Sequence, residues 1–122
     1  MAKAGKNGSS DSSAAPPGET TASPSAASLD EVIHQKVRLG IVSLLAAMPG
    51  REAEFGYIKG RLALTDGNLS THLTVLENNA YIAIDKGFVD KKPKTWVRLT
   101  AEGLQAFRGY VATLEQIIKM VD

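Results

Sequence analysis

From Ala2 to Ser28 the chain contains no Val, Ile, Leu, Phe, Tyr or Trp, and Ser, Ala, Pro, Gly and Thr make up most of it. Such a stretch has no side chains whose burial would offset the entropy of ordering it, so residues 1–28 are expected to be a disordered low-complexity tail. Order is expected from there on, in one domain over residues 29–122. Ser28-Leu29-Asp30-Glu31 fits a capping box. Leu29, Ile33 with Val32, Val37, Ile41, Leu44 and Leu45 then recur at helical spacing to about Ala47. A break is possible near His34–Lys36, Gly40 weakens the run, and Met48-Pro49-Gly50 ends it. Arg51 to Glu54 reads as a polar connection. Phe55, Ile58 and Leu62 space a short helix over 54–62 whose exposed side carries Lys59 and Arg61.

Ala63 and Leu64 make a tight turn into a third helix, with Thr65 or Asp66 as its N-cap. Leu69, Leu73 and Leu76 give that helix one apolar stripe. After Asn78 the period changes to two. Ile82 and Ile84 face one way with Ala83 and Asp85 opposite, and Val97 and Leu99 face one way with Trp96 and Arg98 opposite. Two half-buried strands in this pattern predict an antiparallel hairpin. The segment from Gly87 to Lys94, with Pro93 and three lysines, would form a long tip. Thr100 caps a last helix from Ala101 to about Met120. Its Leu104, Phe107, Val111, Leu114, Ile118 and Val121 are spaced 3, 4, 3, 4, 3 like a coiled-coil seam, widened by Ile117.

The polar side of the third helix carries the candidate chemistry. Away from its leucines stand Asn68, Ser70, Thr71 and Thr74, uncharged side chains that both donate and accept hydrogen bonds. A merely solvated face would favour Glu and Lys, which are stronger helix formers. The choice suits contact with the edges of DNA bases. His72 flanks the leucine stripe and fits either a fifth reader or a hydrogen bond within the fold.

With 122 residues the chain holds one small domain, and with no cysteine it has neither disulfides nor thiolate chemistry. No long apolar run spans a membrane and no apolar core follows the first lysines, so a cytoplasmic protein without membrane contact is expected. A net charge of +1 says little, but its distribution matters: Lys86 to Arg98 holds five basic residues against Asp90 alone. The third helix has no Lys or Arg, so affinity for a polyanion must come from Lys59, Arg61, Lys91, Lys92 and Lys94 around it. Phe88 and Trp96 are expected to pack beneath the hairpin, with stacking on a base as the alternative. Tyr81 is expected in the core, and Arg98 fits either an anchor for the hairpin or a phosphate contact. His34 and His72 lie on different helices, His34 fitting an interface or a cap. No catalytic constellation, metal site or cofactor is expected, and an enzyme is the remotest reading.

Helix, helix, reading helix and hairpin follow the winged helix-turn-helix plan, a mainly α, α+β class with a two-stranded β wing and a long C-terminal dimerisation helix. The wording resembles the small MarR/ArsR-like winged-helix transcriptional regulators of bacteria and archaea. The resemblance is carried by Ile33-His34, Val37-Arg38-Leu39 and Ile41, by Leu64 to Ser70 with His72-Leu73, and by Leu76-Glu77 and Tyr81-Ile82. Lys92 to Trp96 and Leu99-Thr100-Ala101-Glu102-Gly103 complete it, so that it spans Leu29 to about Lys119. It implies a homodimer on double-stranded DNA, with one reading helix per subunit in the major groove of a pseudo-palindromic operator and the basic wing on the backbone or minor groove. The dimer interface would be built from Leu29, Ile33, Leu104, Phe107, Val111, Leu114, Ile118 and Val121. Two rivals stand beside this: a winged helix used only for protein interaction, and a regulator with a small-molecule effector in an apolar dimer cleft. One departure is Ala80, where the family usually has Gly before the aromatic residue that starts the first strand. Either Ala80 takes a left-handed backbone at a cost of roughly 1–2 kcal/mol, or Asn79 takes it instead.

Overall fold

The computed structural model describes residues 29–121. The expected tail over 1–28, with Ser28 of the capping box, lies outside the described residues. In chain order come α1 (Lys36–Ala47), a 3-10 turn (Pro49–Arg51), β1 (Glu52–Glu54), α2 (Phe55–Leu62), α3 (Asp66–Asn78), β2 (Ile82–Val89), β3 (Lys92–Leu99) and α4 (Ala101–Val121). The three strands form an antiparallel sheet in the order β1-β3-β2. Leu29–Ala112 makes one compact unit, and α4 from Thr113 onward falls into another.

The core of the first unit takes Ile41, Val42 and Leu45 from α1, Ile58 from α2, and Leu69, Leu73 and Leu76 from α3. Ala53, Ile82, Val97 and Leu99 close it from the sheet. The leucine stripe predicted for the third helix is therefore buried throughout.

The first helix is shorter than its apolar spacing predicts. It starts at Lys36 rather than near Leu29 because Asp30 Oδ1 accepts the backbone N–H groups of Val32 and Ile33, at 2.8 and 3.1 Å. The local turn so formed competes with helix. Gln35, in extended conformation, then caps α1 by accepting from the Arg38 N–H at 2.8 Å. Arg51–Glu54 is also more than a connection. Gly50 and Arg51 turn the chain at φ 67° and 55°, and Glu52, Ala53 and Glu54 pair with Arg98, Val97 and Trp96. Three residues are too few to display a period of two.

The wing is longer and its tip tighter than expected. β2 and β3 pair without interruption from Ile82↔Leu99 to Val89↔Lys92, leaving only Asp90 and Lys91 in the turn. Both have positive φ, 53° and 66°, the geometry of a type I′ hairpin turn. Past Ile84↔Val97, the last pair with a fully buried member, the ribbon runs on for about 17 Å at the usual strand rise. Phe88 does not pack beneath it: the side chain is 76% exposed, and Trp96 is 37% exposed.

Tyr81 joins three elements. α3 ends in a Schellman motif, in which the Tyr81 N–H reaches Leu76 O (3.0 Å) and the Ala80 N–H reaches Glu77 O (2.9 Å). Ala80 occupies the left-handed position at φ 63°, while Asn79 stays at φ −96°. Tyr81 O accepts the Thr100 N–H at 3.0 Å, and the Tyr81 hydroxyl donates to Asp30 Oδ2. Thr100 Oγ1 donates to Ala80 O and accepts from the Gly103 N–H, so the cap of α4 is pinned to the end of α3. At this crossing a Cβ on Gly103 would stand 2.1 Å from Tyr81 O, so only glycine fits.

Candidate nucleic-acid interface

α2 and α3 form the helix-turn-helix. Ala63 turns the chain at φ 55°, and the Leu64 N–H closes on Lys59 O at 3.0 Å. Thr65 then caps α3, its Oγ1 accepting the Asn68 N–H at 3.1 Å. Asp66 sits at the positive end of the helix, where an acid is stabilising, and pairs with Lys59 Nζ at 2.8 Å.

With Leu69, Leu73 and Leu76 turned inward, α3 exposes Gly67, Asn68, Ser70, Thr71, Thr74, Glu77 and Asn78. Asn68, Ser70, Thr71 and Thr74, the expected readers, thus share the open side. Two of them are further defined. Thr71 Oγ1 donates to Gly67 O (2.9 Å) and Thr74 Oγ1 to Ser70 O (3.0 Å). With their protons used inside the helix, both hydroxyls offer an acceptor and a methyl to a partner. Ser70 and Thr74 also line a groove between α3 and the wing, whose opposite wall is Ile84, Lys86 and Thr95. Asn78, seven residues beyond Thr71, belongs to the same open side; continuing the spacing of the readers by two turns would have found it.

His72 is half-buried, and its Nδ1 stands 3.2 Å from Arg38 Nη1. A guanidinium only donates, so Nδ1 accepts and the ring carries its proton on Nε2. Partial burial, and then the charge of Arg38, hold His72 below its ordinary pKa. Arg38 Nε also donates to Val32 O at 2.7 Å. Arg38 therefore ties the turn before α1 to the flank of α3, a role its position in a helical run did not disclose.

The basic residues divide into two groups. Lys59 is paired with Asp66, and Lys94 bonds Glu54 of β1 at 2.8 Å. Arg61, Lys91 and Lys92 are exposed and make no ion pair among the described residues. Arg98 lies 3.9 Å from Asp85 on the neighbouring strand, beside Glu52 of β1, which favours its role as an anchor of the wing. Burial and the hydrogen bond to Asp30 push the Tyr81 hydroxyl well above its ordinary pKa, so it stays a neutral donor. Among the described residues there is no cluster of metal-ligating side chains, and no helix is long and apolar enough to cross a membrane.

The residues expected at a dimer interface are placed unequally. Ile33 is fully buried and Leu29 nearly so, leaving neither with surface to bury against a second chain; the turn made by Asp30 has folded them inward. Leu104 and Phe107 are half-buried against the core. Nearby, His34 Nδ1 shares a 2.8 Å hydrogen bond with the buried Tyr110. Val111 and Leu114 are half-buried, whereas Ile118 is 54% and Val121 83% exposed. The seam is thus open at its C-terminal end.

A winged helix DNA-binding domain family model matches residues 37–118. An uncharacterised protein of Methanocaldococcus jannaschii is 33% identical over 92 residues, covering 75% of this chain and 98% of that protein. A transcriptional regulator homologue from Pyrococcus horikoshii is similar in structure, with a TM-score of 0.68 and 33% identity, over 76% of this chain and 90% of that one. A MarR family transcriptional regulator from Streptomyces coelicolor, solved in complex with DNA, is similar at a TM-score of 0.57 and 26% identity. That likeness covers 66% of this chain and 53% of the regulator, about half its length.

Proposed function

The chain belongs to the winged helix DNA-binding domain family and is a transcriptional regulator of the MarR type, and from that premise we propose that it works in the cytoplasm as a homodimer on a pseudo-palindromic operator. Each subunit lays α3 in the major groove, the two reading helices lying about 34–36 Å apart. The observation that carries this reading is the outward face of α3, where Asn68, Ser70, Thr71 and Thr74 are exposed while the leucines behind them are buried. Asn68 has the fork that fits adenine N6 and N7. Thr71 and Thr74 accept from the amino groups of adenine or cytosine and set their methyls against thymine. His72 serves as the buttress between α3 and Arg38 rather than as a fifth reader.

Phosphate contact falls first to Arg61, Lys91 and Lys92, which make no ion pair among the described residues. Lys59 and Lys94 contribute after exchanging Asp66 and Glu54 for phosphate oxygens. The second copy joins through the open end of the α4 seam, at Ile118 and Val121, continuing through Leu114 and Val111.

Selection of bound duplexes from a random pool, with chain stoichiometry measured on the winner, tests the reading. A palindromic site carrying two chains is expected. On that site Thr71→Ala should lose about 1–3 kcal/mol while binding to random DNA is spared. Equal losses on both would remove Thr71 from the readers, and a pool that yields no preferred site would overturn the proposal.

A further inference from the structure

We propose that the wing carries an apolar wedge, Phe88 with Pro93 across the hairpin, that enters the minor groove of the bound duplex and loosens one base step. The inference rests on the DNA-binding reading above. Phe88 and Pro93 are register partners at the far end of the ribbon, one pair short of the turn. Ile84, Lys86 and Phe88 alternate onto one sheet face, and Ile84 and Lys86 line the groove opposite Ser70 and Thr74. Phe88 therefore projects from the sheet toward the side on which α3 displays its readers, about 7 Å further out than Lys86.

Burying a phenylalanine stabilises a fold, yet this one is left 76% exposed on a ribbon that has already outrun the core. The tight turn at Asp90 and Lys91 narrows the ribbon to a two-residue tip, so that side chains at its end, rather than the whole ribbon, enter a minor groove of about 6 Å. Lys91 and Lys92, exposed beside the wedge, supply the charge that draws the tip between two phosphate strands. Apolar side chains that enter the minor groove partly unstack a step and bend the duplex. Phe88 would then select sites by how readily a step beneath the wing deforms, since pyrimidine–purine steps yield most easily.

The experiment places 2-aminopurine at successive steps under the wing in the selected operator, with bend angle read by energy transfer between the duplex ends. The full chain should raise the emission at one step severalfold. Phe88→Ala, checked for an unchanged melting temperature, should abolish that rise, reduce the bend and weaken binding about tenfold without altering the salt slope. Phe88→Leu, which keeps an apolar wedge, should retain most of both signals. Emission, bend and affinity all unchanged in Phe88→Ala would overturn the wedge. If Thr71→Ala still weakens that same site, the regulator reading survives the loss; if the full chain prefers no duplex, both fall together.

Discussion

Ala80 holds the left-handed position of a Schellman motif at φ 63°, where glycine is the usual occupant because a Cβ crowds the following carbonyl. The strain is about 1–2 kcal/mol, and glycine's greater freedom in the unfolded chain returns about 0.4–1 kcal/mol of it. Ala80→Gly should therefore be neutral or stabilise the protein by up to about 1.5 kcal/mol, seen at most as a rise of several degrees in melting temperature. A fall would mean that the methyl of Ala80 makes a contact worth more than the strain. Gly103 is the opposite case, a glycine required by space rather than by φ, since Tyr81 O lies where its Cβ would be. Both positions were visible as motif letters in the sequence. At Ala80 the sequence already offered the left-handed turn, with Asn79 as the other placement, whereas the reason for Gly103 was hidden because it is a contact between residues more than twenty positions apart.

Among the elements, those with a long apolar period were readable in advance. The stripe of Leu69, Leu73 and Leu76, the Thr65 cap, and the change of period after Asn78 all gave α3 and the wing strands. What escaped were features set by single polar side chains or by pairing. Asp30 captures two backbone N–H groups and stops a helix that the spacing of Leu29, Ile33 and Val37 would continue. Glu52–Glu54 becomes a strand only because β3 is there to pair with it. The join between α1 and α3 is another such feature, and it titrates. His72 has a lowered pKa in the folded protein, so below about pH 6.5 the unfolded chain binds more protons at this site than the folded one. Stability should then be fully present above that pH and decline as pH falls toward the folded pKa. Melting curves from pH 7.5 to 5.5 should drop more steeply for the native sequence than for His72→Gln, whose amide oxygen still accepts from Arg38. Parallel curves would show that His72 is not held below its ordinary pKa in the folded protein.

At the scale of the whole molecule, the first unit covers its own core, while the last turns of α4 expose Ile118, Met120 and Val121. Ile118→Glu places a charge in the proposed seam without touching the buried core of the first unit. It should weaken self-association by about ten- to a hundredfold, as the loss of two half-exposed isoleucines per dimer implies. Sedimentation would show monomer with intact helical circular dichroism, and operator binding would fall in step; an unchanged dimer would move the interface elsewhere. The crossing at Tyr81 bears on how any such pair of subunits responds to a signal. Its amide, carbonyl and hydroxyl fasten the end of α3, the start of α4 and the turn at Asp30 to a single residue. Within the unit Leu29–Ala112, a displacement of the first turn of α4 is therefore passed to the end of α3 through one residue. If two copies pair as proposed, a signal felt at that first turn would reach the reading helix by way of Tyr81.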